Sequence, residues 1–303
     1  MKFLYFLESI RFPALNKLMS LITHLGEETA FLVIALVVFW CVNKYHGYYL
    51  LGVGLFGNLA NQFMKITCRV PRPWLRDPEF SVVESAKAEA GGYSFPSGHT
   101  QTAVGTFGAV AATQKRKWII WICIALAVLT GLSRMYLGVH TPADVLVGAA
   151  MALAMVFGLK PLMQEKRKGF IPVIFGVLLA LSVGFLVYLE YYPFPADLDL
   201  ENYKSAVKNG YTFLGCFAGV LAVYAVDEAK LHFTTKAVWW AQILKAILGL
   251  AVVLLVKEGL RSPLESLIGD IMIARAVRYF LIVVTAGVVW PLSFRWFSRL
   301  GQK

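Results

Sequence analysis

Charge is scarce in this chain, and carboxylates are the scarcer sign. Lys, Arg, Asp and Glu make up 16% of the 303 residues, with 18 acids against 29 bases. Soluble domains carry roughly a quarter charged residues, so an ordinary water-soluble globule is excluded. The shortage of acids leaves no carboxylate cluster suited to magnesium or calcium. Cysteine is also rare. Cys41, Cys68, Cys123 and Cys216 form no C-x-x-C pair, and no His-rich run accompanies them, so a zinc site is not expected. All four lie in or at the edge of apolar segments and read as small buried hydrophobes. The opening MKFLYFLESIRF lacks the long apolar core and small-residue cleavage site of a secretory signal, and none is expected. Internal repeats and low-complexity tracts are absent.

What is abundant is apolar surface. Hydrophobic residues reach 58% and the mean hydropathy is +0.64, which defines a polytopic membrane protein. Runs long enough to span fall near 27–43, 47–67, 98–113, 118–137, 142–159, 169–191, 209–226, 237–256 and 276–297. The fold class is therefore all-α, a membrane helical bundle of about eight or nine spans. Residues 1–23 read as a helix lying in the interface, with Phe3, Phe6, Leu7 and Ile10 on one face. The polar, proline-bearing stretch 69–96 is a loop of functional length. The connection 192–208 is acidic, with Asp197, Asp199 and Glu201, and 257–275 reads as a second interfacial helix. The net charge of +11 does not indicate nucleic acid, because the bases sit in short loops between apolar helices.

Polar residues inside spans are costly and so informative. Asn58, Asn61, Gln62 and Lys65 recur at i, i+3, i+4 and i+7, one face of a helix that must meet protein or water. Three further stretches carry chemistry: Lys65 to Pro73, Tyr93 to Thr100, and Ser133 to Asp144. Alternating helix direction brings them to one membrane face. Lys65, Arg72 and Arg134 then surround one point with positive charge, and arginine matches phosphoryl oxygens bidentately. Pro96-Ser97-Gly98 leads into a helix whose N-terminal N–H groups suit an anion. Thr141 caps the next helix, with Pro142 at its first position. Asp144, four residues beyond His140, can accept from one ring nitrogen and leave the other as nucleophile. His99 is suited to protonate a leaving oxygen.

These stretches resemble the type 2 phosphatidic acid phosphatase superfamily, whose pattern is K-x6-R-P, P-S-G-H and S-R-x5-H-x3-D. Lys65, Arg72, Pro73, Pro96, Ser97, Gly98, His99, Ser133, Arg134, His140 and Asp144 match every fixed position, over about residues 25–160. The resemblance implies a membrane lipid-phosphate phosphatase acting through a phosphohistidine on His140, oriented by Asp144, with His99 as the acid. It implies phosphate binding by Lys65, Arg72, Ser97, Gly98 and Arg134, and neither metal nor cofactor. The run His24 to Glu28 resembles the sphingosine-phosphate phosphatase branch. The expected organisation is an interfacial helix at 1–24, a catalytic core at 25–160 and a transmembrane extension at 161–303. The expected substrate is a lipid phosphate monoester or pyrophosphate. A lipid phosphotransferase would use the same intermediate, and an anion transporter is a third reading, although paired discontinuous helices are not apparent.

The remaining polar residues carry less. His24, His46 and His232 read as packing or interface residues, and Glu27 and Glu28 as N-terminal carboxylates of the first span. Trp239, Trp240, Trp290 and Trp296 read as interface anchors. Asp270, Arg275 and Arg278 sit near the start of the last span, where the two arginines share a face and suit a lipid headgroup or an ion pair, or as a sharper reading a lid or headgroup selector. The short loops Gln114 to Lys117 and Glu165 to Lys168 are dense in Lys and Arg. By the positive-inside rule they are cytoplasmic, which puts the three stretches on the extracytoplasmic or lumenal face.

Overall fold

The computed structural model describes residues 1–196 and 198–301, so Asp197 of the acidic connection lies outside the described residues. It is all-helical, with no strand among the described residues. In chain order the helices are α1 (Lys2–Ser9), α2 (Pro13–Thr23), α3 (Glu28–Val37), α4 (Lys44–Cys68), α5 (Pro73–Arg76), α6 (Glu84–Glu89), α7 (Gly98–Thr113) and α8 (Lys117–Tyr136). There follow α9 (Pro142–Leu159), α10 (Phe170–Tyr191), α11 (Leu200–Val226), α12 (Trp239–Gly259), α13 (Arg261–Ile268), α14 (Ile271–Val284) and α15 (Phe294–Arg299).

Six helical segments are long and apolar enough to cross a membrane: 117–136, 142–159, 170–191, 200–231, 239–268 and 271–299. A seventh is added if Pro13–Gly26 and Glu28–Val42, bent by 52° at their junction, form one broken span. The chain is therefore an integral membrane protein, and the count of eight or nine expected from hydropathy is not met on length and apolarity alone. The shortfall lies in the segments at 27–43, 47–67 and 98–113, and its causes are local. α7 has only 16 residues, and α4, although 25 residues long, carries the polar stripe from Asn58 to Lys65. The N-terminal segment is two helices rather than one, because Pro13 opens α2 at its first turn and removes a backbone donor there.

The chain divides into two compact units. The first comprises residues 1–32, 53–161 and 196–206, and the second residues 33–52, 162–195 and 207–303. In the first, α7 packs along both α8 and α9, which scarcely touch each other. α1 folds over the 77–83 loop: Tyr5 donates to Asp77 at 2.9 Å, and Arg11 donates to the Ser81 and Tyr136 carbonyls, both at 2.9 Å. Leu4 is buried with Phe80, Met135 and Val145, while Phe3 and Phe6 face outward.

In the second unit, Lys44 and Asp227 form a buried pair at 2.6 Å, and Asp227 also accepts from the Phe233 N–H at 3.0 Å. Buried Lys245 donates to the Thr235 carbonyl at 3.0 Å and lies 4.5 Å from the Phe294 ring. Two sequence expectations fail on packing grounds. Trp290 is no interface anchor: it sits among Trp40, Phe294 and Phe297 against Gly249. Cys68, the last residue of α4, is exposed rather than buried, whereas Cys123 and Cys216 are buried and Cys41 is intermediate.

Candidate active site

The site is assembled from one end of α4, α7, α8 and α9 and from the 69–97 loop, all within the first unit. α9 begins with a reciprocal cap. Thr141 Oγ1 accepts from the Asp144 N–H at 3.3 Å, and Asp144 Oδ2 accepts from the Thr141 N–H at 2.7 Å. This holds the Asp144 carboxylate beside its own helix axis, facing His140. The 94–98 loop is then tied to α9, with the Ser97 N–H donating to the Asp144 carbonyl at 3.0 Å. Gly148, one turn along, makes that approach possible: a Cβ there would stand 2.7 Å from the Ser97 carbonyl oxygen.

His140 is 1% exposed and lies between two partners. Arg72 Nη1 is 2.9 Å from its Nε2. A guanidinium only donates, so Nε2 is the accepting nitrogen and the proton sits on Nδ1. Nδ1 faces Asp144 Oδ2 at 3.6 Å and Ser94 Oγ at 3.5 Å. Ser94 in turn donates to Asp144 Oδ2 at 2.6 Å, so one carboxylate oxygen accepts from serine and from the Thr141 N–H, and the imidazole is linked to it through Ser94. Burial pushes the His140 pKa well below the usual imidazole range, and the charges of Arg72, Arg134 and Lys65, then His99, add to the effect. The imidazole is neutral at physiological pH.

Carbonyls and a hydroxyl meet the cations. Arg72 donates to the carbonyls of Gly91 at 2.7 Å, Gly92 at 2.8 Å and Val139 at 3.0 Å. Lys65 donates to the Tyr93 carbonyl, and Asn61 to that of Pro96 at 3.4 Å. Arg134, 1% exposed, donates to Thr23 Oγ1 at 2.7 Å. Ser97 caps α7 by accepting from the Thr100 N–H at 3.4 Å, and its hydroxyl also meets Thr100 Oγ1 at 2.9 Å. The N–H groups of Gly98 and His99 have no acceptor among the described residues. Three cations thus stand around one engaged carboxylate, leaving an excess of positive charge that suits a phosphate dianion.

Lys65, Arg72, Arg134, His99, His140 and Asp144 lie within electrostatic reach of one another, with Ser97 and Gly98 at the adjoining turn, and some neighbours were not anticipated. Ser94, Thr23 and the carbonyls of Gly91, Gly92 and Tyr93 complete it. Asn58, further along the polar stripe, donates to Glu28 at 3.3 Å and accepts from Thr102 at 3.3 Å. Glu27 pairs with His24 at 2.5 Å on the surface. Among the described residues, no three His, Cys, Asp or Glu side chains stand together as a metal-binding group.

Below the site, the gap between α8 and α9 is a cleft of about 370 Å³ floored by α7. Val104, Phe107, Gly108, Ala127, Leu132 and Ala149 line it, and hydrocarbon is nearly all it offers. Its upper end reaches Thr100, which meets Ser97, and Val145, which follows Asp144.

A histidine set among arginines and lysine, above an apolar cleft in a bundle of membrane helices, defines a class: the integral membrane phosphatases. Comparison with known proteins agrees. The PAP2 superfamily model matches residues 45–168, and its phosphatase transmembrane extension matches 211–303. Phosphatidylglycerophosphatase B of Bacillus subtilis (strain 168) is 31% identical over 176 residues, 53% of this chain and 81% of that protein. Undecaprenyl-diphosphatase BcrC of the same organism is 31% identical over 104 residues, 34% of this chain and 51% of that protein. No solved structure matches. The chain belongs to the PAP2 superfamily and is a membrane phosphatase.

Proposed function

We propose that the protein hydrolyses a lipid phosphate monoester or pyrophosphate through a phosphohistidine on His140. The observation that carries this reading is the line Arg72–His140–Asp144, with Ser94 bridging, inside an excess of positive charge. A phosphate reaching the site takes over the Arg72 contact on Nε2 and is gripped by Lys65, Arg72, Arg134 and the Ser97 and Gly98 turn. Nε2 attacks phosphorus, the bond to the lipid oxygen breaks, and His99 gives that oxygen a proton. Asp144 and Ser94 hold Nδ1–H and steady the charged imidazole ring. Water then attacks the phosphohistidine, with His99 taking its proton, and phosphate leaves. The catalytic core is 25–160, carrying the interfacial segment 1–24 before it and the extension 161–303 after it. In this reading nine helices cross the membrane, the polar α4 and short α7 among them, because protein rather than lipid surrounds their polar faces.

The cleft under the site favours an amphiphile, with its chain between α8 and α9 and its phosphate above. The names of the two relatives make phosphatidylglycerol phosphate and a polyprenyl diphosphate the first substrates to test, ahead of sphingoid phosphates. Purified protein in detergent with EDTA should release phosphate from at least one of these lipids, because the site grips phosphate with cations of its own. Ala149→Phe should fill the cleft and cut kcat/KM for the long-chain lipid about tenfold, a loss of the size expected from blocking a few buried methylenes. The same variant should leave hydrolysis of a soluble phosphomonoester within about twofold. Equal losses on both substrates would remove the cleft from the reading. Strict dependence on added magnesium would remove the mechanism.

The site faces away from the cytoplasm, because the short loops at 114–117 and 165–168 carry Lys115, Arg116, Lys117, Lys166, Arg167 and Lys168. In a cysteine-free background, a cysteine at Glu84 should react with an impermeant maleimide in intact cells. One at Lys166 should react only after lysis. The opposite pattern would invert the topology and leave the chemistry standing.

A further inference from the structure

The second unit contains its own gathering of cations. Gly215 and Gly219, one turn apart on α11, present a bare face to α14. A Cβ at Gly215 would stand 2.1 Å from the Ala276 carbonyl oxygen, and one at Gly219 would stand 2.8 Å from Val283 Cβ. So close an approach seats Arg275 on α11, where its Nε donates to Thr212 Oγ1 at 2.7 Å. That hydroxyl donates in turn to the Lys208 carbonyl at 2.9 Å, so its hydrogen is already committed.

Arg278 lies one turn further along α14. The guanidinium carbons of Arg275 and Arg278 stand 5.3 Å and 5.5 Å from the centroid of the same Tyr279 ring. Arg278 is 8% exposed, and its Nε has no acceptor among the described residues. Neither arginine forms an ion pair with a described carboxylate. Asp270, the acid nearest along the chain, is used as the cap of α14, accepting from the Met272 and Ile273 N–H groups at 2.7 and 2.9 Å. A nearly buried guanidinium without an anion is an unfavourable arrangement on its own.

We propose that Arg275 and Arg278, set by Thr212 and Tyr279, form a second anion site in the transmembrane extension, which takes the phosphate group of an anionic phospholipid. The pair presents two guanidinium forks, the geometry that phosphate oxygens match. Both lie within the first eight residues of α14, about 12 Å or less from its start at 1.5 Å per residue. Long arginine side chains reach the headgroup layer from such a depth. The lipid is bound there rather than turned over, because the cluster holds no histidine and the Thr212 hydroxyl is already committed to the Lys208 carbonyl. The proposal is independent of the catalytic reading.

The test uses the full chain in a neutral detergent, with thermal unfolding followed after adding phosphatidylglycerol, phosphatidylcholine or inorganic phosphate. Phosphatidylglycerol should raise the wild-type Tm by about 5 °C, as expected for a site near saturation, and phosphatidylcholine should not. Arg278→Met should melt no lower than wild type in neutral detergent, since it removes an unpaired buried charge, and should lose that rise. Arg275→Ala, at a partly exposed position, should reduce the rise and serves if the methionine variant does not fold. Lipid phosphorus carried through purification should fall in the same order. A rise produced equally by inorganic phosphate and lost in both variants assigns the site to the free anion. A rise that persists in both variants, or an Arg278→Met protein that melts well below wild type and keeps the rise, overturns the proposal.

Discussion

His140→Ala should abolish turnover, with kcat falling about 10⁶-fold, the scale seen when the nucleophile of a covalent enzyme is removed. Rapid quenching with a ³²P-labelled substrate should trap an acid-labile phosphoenzyme in the wild type and none in the variant. His99→Ala should slow formation of that intermediate on a lipid and much less on an aryl phosphate, whose leaving group needs no proton. The pH profile carries a further sign. Because burial and the neighbouring cations lower the His140 pKa, the proposed nucleophile should stay neutral as pH falls through 6.5, where a free imidazole would be half protonated. The acid limb of kcat/KM assigned to this group should therefore lie well below pH 6.5. For stability the same shift has the opposite effect. A folded-state pKa below the unfolded value costs stability as pH drops below the unfolded pKa, since only the unfolded chain readily takes up the proton. Robust turnover by His140→Ala would remove the mechanism.

Asp144→Asn should lower kcat about 10⁴-fold, as removal of an orienting carboxylate does in other His-dependent enzymes. Asparagine is the informative replacement because its amide oxygen can still accept from the Thr141 N–H, so the reciprocal cap that starts α9 is kept. What it loses is the charge facing Nδ1, and its amide can present a donor where the ring also donates. Ser94→Ala removes one hydrogen bond to the same oxygen and should cost about tenfold, the lower end for a bond to a charged group. The ratio between the two separates carboxylate charge from carboxylate placement. An Asp144→Asn enzyme within tenfold of wild type would mean that His140 is oriented by something else. Circular dichroism and Tm of each variant check that α9 is intact.

Much of this was legible in the chain itself, and the parts that were not have physical reasons. The start of α9 follows from its cap, because the Thr141-Pro142 pair marks a helix start, and Pro96-Ser97-Gly98 leads into α7 at the expected place. The convergence of Lys65, Arg72, Arg134, His99, His140 and Asp144 follows from spacing and alternating helix direction. The carbonyls of Gly91, Gly92 and Tyr93 carry no such signal, since any residue has a carbonyl and the 69–97 loop has no periodicity. Ser94 stood in plain view beside the Pro96 motif, but its bond to Asp144 depends on how the loop crosses α9 at Gly148. α11 begins at Leu200, well before its apolar run, because Glu201, Asn202, Lys204 and Lys208 make its first turns polar. Trp290 gave no hint of its packed position, as tryptophan suits both an interface and a core. The pairing of Arg275 with Thr212 depends on the contact at Gly215, which no local pattern encodes.

The reciprocal cap at Thr141 and Asp144 gives the site an unusual economy of atoms. Asp144 Oδ2 closes the first turn of α9 and also stands behind the imidazole, so in the proposed mechanism a local folding event and the readiness of the nucleophile are one event. Fraying of that turn is a far smaller opening than global unfolding, and such openings are populated first as a protein warms. On the proposed mechanism, activity should therefore fall on warming before the global unfolding transition, reporting a single helical turn while the rest of the bundle is still intact.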